Sequence, residues 1–313
     1  MPDIQHIIVT RIGLGLRRPT PLRRSLIQLK HTLLPSIRAQ SNRRFRWVLS
    51  TDSNTPAWFQ DELRSLVGGL GRVAPHDPFS IGLTPPIPAL CQEEFGTSEH
   101  ILMTRVDHDD ALHGAFVQKF QDELVEPSDR PVIIRAPLGI QVMPRAASVR
   151  FASPKRGDTS VGASVYVPRL DQRHVYNTNH NQLESKFSAA VRKIKSDEPL
   201  WAYFRSSTQD SQAGRRRGVR GEAVPDRSKW DTLALFGLMP QHFTDMAQEL
   251  AELKDEPIVR MPSDLSILAL KAQLMEIHSG YQRRHKKTLT EKAKRKLDFK
   301  MAVIRQAVYA VTT

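Results

Sequence analysis

Short apolar runs that stop at turn residues alternate with helical stripes along the first half of the chain, and this alternation restricts the fold most. Ile4–Thr10 is an apolar run ending at a turn, and reads as a buried first strand. Arg23–Gln40 sets Leu26, Leu29, Leu33 and Ile37 at helical spacing, which predicts one helix. Phe45–Ser50 reads as a second strand stopped by Thr51-Asp52-Ser53-Asn54-Thr55-Pro56. Pro56 is then placed to open a helix through Trp58, Leu63, Leu66 and Val67 that ends at Gly68-Gly69. His100–Val106 is strand-like, Ala115–Val125 helical and Pro131–Ala136 strand-like again. Strands alternating with helices predict an α/β fold with a mostly parallel central sheet flanked by helices. Gly139–Val167 holds shorter strand patterns with Pro and Gly breaks, which predict an antiparallel supplement.

The character changes after Trp201. Ser206–Arg227 is polar, with almost no apolar residues, and reads as a loop or lid. Asp231–Gly237, Gln241–Lys254, Ser263–His278 and Thr288–Val311 follow with helical patterns. The expected organisation is a catalytic unit over residues 1–230 and a basic helical C-terminal extension over 231–313.

Charge narrows the choice of partners. The 313 residues carry a formal net charge of +13. Gly214–Arg220 contributes four arginines and no acid, and Arg283–Arg305 contributes ten basic residues against Glu291 and Asp298. The rest of the chain is therefore near neutral. Such runs suit a nucleic-acid backbone, an anionic membrane surface or a merely solvated face. With 7% aromatic residues and no recognisable nucleic-acid motif, a nucleic-acid-binding protein or metal-dependent nuclease is the alternative reading, not the favoured one. The single cysteine, Cys91, excludes an intramolecular disulfide framework and a cysteine-based zinc site, and is expected to be a packed apolar side chain. No apolar run approaches the roughly 18–20 residues that span a bilayer. The expectation is a cytoplasmic protein, with peripheral contact at the inner membrane face as one use of its basic helix.

The chemistry concentrates in Met103-Thr104-Arg105-Val106-Asp107-His108-Asp109-Asp110. Three carboxylates in four residues repel one another unless positive charge sits among them. Mg²⁺ or Mn²⁺ is a natural partner, since such cations take one or two carboxylates plus substrate phosphates. The carboxyl ends of strands are also where ligands collect in α/β sheets. The bland reading is an acidic helix cap. Gly13-Leu14-Gly15 has Arg18 where a dinucleotide fingerprint needs its third glycine, so that cofactor reading fails.

A second element stands upstream. Leu34–Asn42, with its Ala39-Gln40 helix end, followed by Phe45–Pro56, resembles a recurrent element of nucleotide-sugar glycosyltransferases with the GT-A fold. There, a helix with a Gln-type ending leads into a strand finishing in an acidic turn, and an Asp-x-Asp motif follows about fifty residues later. Within that class the chain resembles bacterial rhamnosyltransferase-like sequences in its early Thr10-Arg11, its Ala39-Gln40 and its Arg105-x-Asp107-x-Asp109-Asp110 segment, over residues 4–120. The resemblance implies a GT-A-like sheet and transfer of a sugar from a nucleotide-sugar donor to a saccharide or lipid-linked acceptor. It implies that Thr10 and Arg11 line the nucleotide pocket and that Asp52 contacts base or ribose. Asp107 would face the ribose and metal, and Asp109 the cation. Arg105 is either a substrate contact or an ion-pair partner of the acids. Transfer also needs a base for the acceptor hydroxyl, for which Asp171 is the candidate. His180 is a candidate third metal ligand. Those sequences carry a His soon after a downstream Trp; here Trp201 is followed by none, and Arg205 is the candidate phosphate-side cation.

Overall fold

The computed structural model describes residues 4–16, 18–76, 85–97, 99–124, 128–143, 148–152, 161–170, 174–176, 183–187, 189–204, 224–225 and 228–253. All lie in a compact unit, Met1–Glu256. In chain order the elements are β1 (Gln5–Arg11), α1 (Pro19–His31), α2 (Leu33–Arg38), β2 (Arg46–Asp52), α3 (Ala57–Val67), β3 (Arg72–His76), α4 (Ile87–Phe95), β4 (Glu99–Arg105) and β5 (Ala111–Leu112). There follow α5 (Phe116–Asp122), β6 (Val132–Arg135), β7 (Gly139–Met143), β8 (Ser148–Ala152), β9 (Ala163–Arg169), α6 (Leu183–Phe187), β10 (Ala190–Lys193), β11 (Trp201–Phe204), α7 (Lys229–Ala234) and α8 (Pro240–Glu252).

The central sheet has seven strands in the order β10-β6-β9-β4-β1-β2-β3. β4, β1, β2 and β3 are mutually parallel, while β9 runs against both β4 and β6. A four-stranded sheet, β5-β11-β7-β8, supplies the antiparallel supplement through its β7–β8 and β11–β5 pairs. The central strands read as unbroken apolar runs because both faces are covered. On one face Ile8, Trp47, Leu49 and Leu102 pack with side chains of α1, α2, α3 and α5. On the other Ile7, Val9, Val48 and Met103 pack with Leu90 and Cys91 of α4 and with Leu183 and Phe187 of α6. Cys91 is fully buried there, and burial pushes its thiol up to about 12.

The first helix departs from expectation. One continuous helix over 23–40 would set Pro35 against the carbonyl of His31. The chain instead breaks at Thr32, which leaves the helical region at φ −122° and ψ −77°, and restarts as α2 with Pro35 inside its first turn. Backbone N–H groups there have no helical acceptor to lose. β3 was not legible as a strand, because Pro75 interrupts it. It is tolerated because β3 closes the edge of the sheet.

The helices α7 and α8, from the segment read as the start of an extension, join the described body. Leu233, Phe236 and Leu238 share a core with Ile140 and Val142 of β7 and Phe204 of β11. From α8, Glu249 pairs with Lys30 at 2.7 Å and His31 at 2.9 Å, tying that helix to α1. Of the loop expected over 206–227 only residues 224–225 are described, where Val224 N–H donates to Val149 O at 3.0 Å; the helices expected over 263–278 and 288–311 and both basic runs lie outside the described residues.

Candidate active site

The carboxyl ends of β1 and β4 lie side by side, with Val9 in register with Arg105. This adjacency brings Arg11, Arg105 and Asp107 together from separate parts of the sequence. Asp107 Oδ1 stands 3.7 Å from Arg11 Nη2, and its Oδ2 stands 3.6 Å from Arg105 Nη2. Burial alone would raise the Asp107 carboxyl, but the Arg105 and Arg11 guanidiniums overcome it and hold the group below its ordinary value. Arg105 is displaced upward: burial opposes its charge, and Asp107 more than compensates.

Tyr176 completes this cluster. Its ring lies 5.0 Å from the Arg11 guanidinium and 4.8 Å from that of Arg105, within cation–π range. Its hydroxyl donates to Val9 O at 2.9 Å, and burial pushes it up to about 12. The residue belongs to the polar stretch after Arg169, where nothing in the sequence distinguishes it. Only the fold shows it beneath both arginines.

The acidic turn is fixed from behind. Asp110 N–H donates to Asp107 O at 3.1 Å, closing the turn. Asp110 is 1% exposed and its Oδ1 accepts the Phe204 backbone N–H of β11 at 3.3 Å. Burial, then the neighbouring Asp109 and Asp107, raises its carboxyl well above the usual range. Asp107 and Asp109 remain partly exposed, the former by 32%. Asp110 is therefore an anchor for the turn, and the partly exposed carboxylates are those of Asp107 and Asp109.

Gln40 explains why the helix ending and the acidic motif occur together. Its Nε2 donates to Ser36 O at 3.0 Å and to His113 O at 2.8 Å, and its Oε1 accepts the Val117 N–H at 3.1 Å. Ser36 Oγ accepts Leu112 N–H at 3.2 Å, and Thr32 Oγ1 donates to His108 O at 3.2 Å. One side of α1 and α2 thus grips the segment from His108 to Val117. Gln40 is 2% exposed, so Gln40→Leu leaves a backbone N–H and a carbonyl unsatisfied in the core. We expect a loss of about 3 kcal/mol in urea unfolding; a variant within 1 kcal/mol of wild type would show that the grip is dispensable.

Two other expected pocket residues turn inward. Thr10 is fully buried and its Oγ1 accepts the Trp47 indole N–H at 3.0 Å, so it faces the core and not a pocket wall. Its β1 neighbour Arg11 points to the opposite face, as strand alternation requires. Asp52 is also fully buried. Its Oδ2 accepts Gly15 N–H at 3.2 Å and its Oδ1 accepts Asn54 N–H at 2.8 Å. It braces the β1–α1 loop, where Gly13 and Gly15 take φ of +67° and +73°. The candidate base Asp171, the candidate ligand His180 and the candidate cation Arg205 lie outside the described residues.

No curated protein matches the sequence. Among solved structures, the chain is similar to S. aureus TarS residues 1–349 in complex with UDP-GlcNAc, at TM-score 0.43 and 11% identity, covering 85% of this chain and 76% of that one. It is also similar to the glycosyltransferase GlyE of Streptococcus pneumoniae TIGR4, at TM-score 0.36 and 11% identity, covering 81% of this chain and 64% of that one. A family model described as "Putative rhamnosyl transferase" matches residues 16–218, well beyond the acidic turn. That match takes in more than half of the chain, including Gln40, Asp52, Arg105 and Asp107–Asp110, and the chain belongs to this rhamnosyl transferase family and is a glycosyltransferase.

Proposed function

We propose that the protein transfers a sugar, rhamnose before others, from a nucleotide-sugar donor to a saccharide or lipid-linked acceptor. The observation that carries this reading is the meeting of the Asp107–Asp110 turn with Arg11 and Arg105 at the carboxyl ends of adjacent parallel strands. Cationic groups and partly exposed carboxylates at such a crevice suit a phosphate-bearing ligand.

The donor set fits Mn²⁺ or Mg²⁺. Asp107 and Asp109 are partly exposed and offer oxygen, the ligand type these hard cations take. Among the described residues no group of three or more His, Cys, Asp or Glu side chains converges on one point. In this reading Asp109 is the carboxylate of the cation's shell that the family resemblance implies, with Asp107 between the cation and the guanidiniums of Arg11 and Arg105. His180 and the donor's phosphate oxygens would share the remaining positions. A bound cation supplies charge stabilisation for the departing diphosphate. Asp110 keeps the turn at its fixed height, Arg205 adds positive charge, and Asp171 takes the proton of the acceptor hydroxyl.

A thermal-shift series with ADP, GDP, CDP, UDP and dTDP, each with and without Mn²⁺, tests the donor class. The matching nucleotide at a hundredfold excess over its Kd should stabilise the protein by about 2.7 kcal/mol. If none raises the melting temperature, with or without Mn²⁺, the donor reading is wrong.

The reading also gives the basic C-terminal run a task, holding the enzyme against an anionic leaflet where lipid-linked acceptors reside. Each basic residue near such a surface is worth about 1 kcal/mol. Converting Lys292, Lys294, Arg295 and Lys296 together to Glu should reduce sedimentation with phosphatidylserine vesicles at least tenfold and leave nucleotide affinity unaltered. Absence of wild-type vesicle binding would return this segment to a solvated face.

A further inference from the structure

We infer that Arg11 and Arg105 form a binding site for a phosphate-class dianion that operates without a divalent cation, and that the donor's diphosphate is its occupant. The identity of the occupant rests on the nucleotide-sugar reading; the site itself rests on the charges and hydrogen-bonding groups gathered at the ends of β1 and β4.

Charge is the first argument. Two guanidiniums share the one carboxylate of Asp107. The trio keeps a surplus of positive charge. Asp110, the nearest carboxyl behind it, is buried and turned to the Phe204 N–H, so it does not face outward to cancel that surplus.

Hydrogen bonding is the second. The approaches of Asp107 to Arg11 and Arg105, at 3.7 and 3.6 Å, exceed hydrogen-bond length, so both contacts are loose ion pairs. Arg11 Nε and Arg105 Nε are both buried and lack a hydrogen-bond partner. A desolvated donor without an acceptor costs roughly 1–3 kcal/mol. That cost falls on two adjacent arginines at once. The Tyr176 hydroxyl is spent on Val9 O. Its ring lies against both guanidiniums and its hydroxyl also meets an Arg11 N–H, which still leaves the two Nε groups without a partner.

Shape is the third. The planar fork of arginine presents parallel donors that match two oxygens of one phosphate group. Arg105 has only 12% of its side chain exposed, against 32% for Arg11. One fork is therefore a fixed part of the floor, while the other lies nearer the opening. An incoming dianion displaces the loosely held Asp107 oxygens without unmaking any short bond.

Titration calorimetry in EDTA with inorganic pyrophosphate tests the site on the full-length protein. Wild type should bind, and Arg11→Gln and Arg105→Gln should each weaken binding at least tenfold. Asp109→Asn should bind pyrophosphate in EDTA as wild type does. If a Gln variant melts more than 5 °C low, the Arg11→Lys and Arg105→Lys variants decide. They keep the charge and lose the fork, and should bind at least threefold more weakly than wild type. Pyrophosphate that binds only with Mn²⁺, or arginine variants that match wild type, would overturn the inference. The same titrations with the nucleoside diphosphate panel separate the two claims. Arginine-dependent pyrophosphate binding with no nucleoside diphosphate bound sustains the site and removes the donor. Nucleoside diphosphates that bind only with Mn²⁺, equally well in the arginine variants, sustain the donor and remove the site.

Discussion

Replacing Gly139 by alanine is expected to lower the melting temperature by roughly 6–12 °C, the largest stability effect we predict for one added methyl group. A Cβ at this first position of β7 would fall inside the Trp201 indole. That ring has no room to withdraw. Trp201 is 1% exposed, and its Nε1 donates to Ala136 O at 2.9 Å. Leu200 N–H, one residue earlier, donates to Leu138 O at 3.0 Å, which pins β11 beside β7. Relief requires the indole to swing, with loss of its hydrogen bond and of its packing. Overpacking a core costs about 1–3 kcal/mol, and the broken bond places this case at the upper end. Circular dichroism melts of wild type, Gly139→Ala, Trp201→Leu and the double variant provide the check. The alanine should be far less harmful once the indole is gone, since contacting residues couple strongly. A melting temperature within 1 °C of wild type for Gly139→Ala alone would refute this account.

The largest effect on activity should come from Asp109→Asn, with a fall in kcat for sugar transfer of roughly 100-fold or more. The substitution keeps size and removes the charge that would hold a cation against the departing diphosphate. Asp110→Asn, one residue along, should retain most of the activity. Asp110 is buried with its carboxyl displaced toward the neutral form, and an amide oxygen can still accept the Phe204 N–H. Two neighbouring carboxylates thus have opposite expected outcomes, which a general disturbance of the turn could not produce. Transfer rates measured across Mn²⁺ concentrations distinguish them. Equal loss in both variants, or an Asp109→Asn enzyme as active as wild type, would remove Asp109 from the cation's shell.

The fold and the site were legible in the sequence to different depths. β1, β2 and β4 announce themselves because strands covered on both faces must be apolar throughout, and because two of them run into acids. The break at Thr32 was not visible, since Leu26, Leu29, Leu33 and Ile37 keep helical spacing across it. β3 was hidden because an edge strand needs neither a continuous apolar run nor freedom from proline. In the site, Arg11, Arg105 and Asp107 carried signals of charge and position. The inward turns of Thr10 and Asp52 did not, because strand polarity shows which residues stand at an end and not which partner each will find. Tyr176 had no local signal at all. Its importance arises from a contact with β1 across 167 residues of sequence.

The corner at His113-Gly114 places a condition on biosynthesis. Its four bonds come from three distant parts of the chain. Gln40 holds His113 O at 2.8 Å, and Ser41 N–H donates to Gly114 O at 2.8 Å. His113 N–H donates to Leu200 O at 3.1 Å, and Gly114 N–H donates to Leu235 O at 2.8 Å. Translation delivers these partners in order, and the last of them emerges only when α7 has been made. The acidic turn is therefore seated late, after the sheet that carries it. A chain stopped at residue 230, where the sequence suggests a boundary, would possess every described residue of the candidate site and still lack the final bond at its corner. The corner behind the candidate site thus receives its last backbone partner only after α7 has left the ribosome.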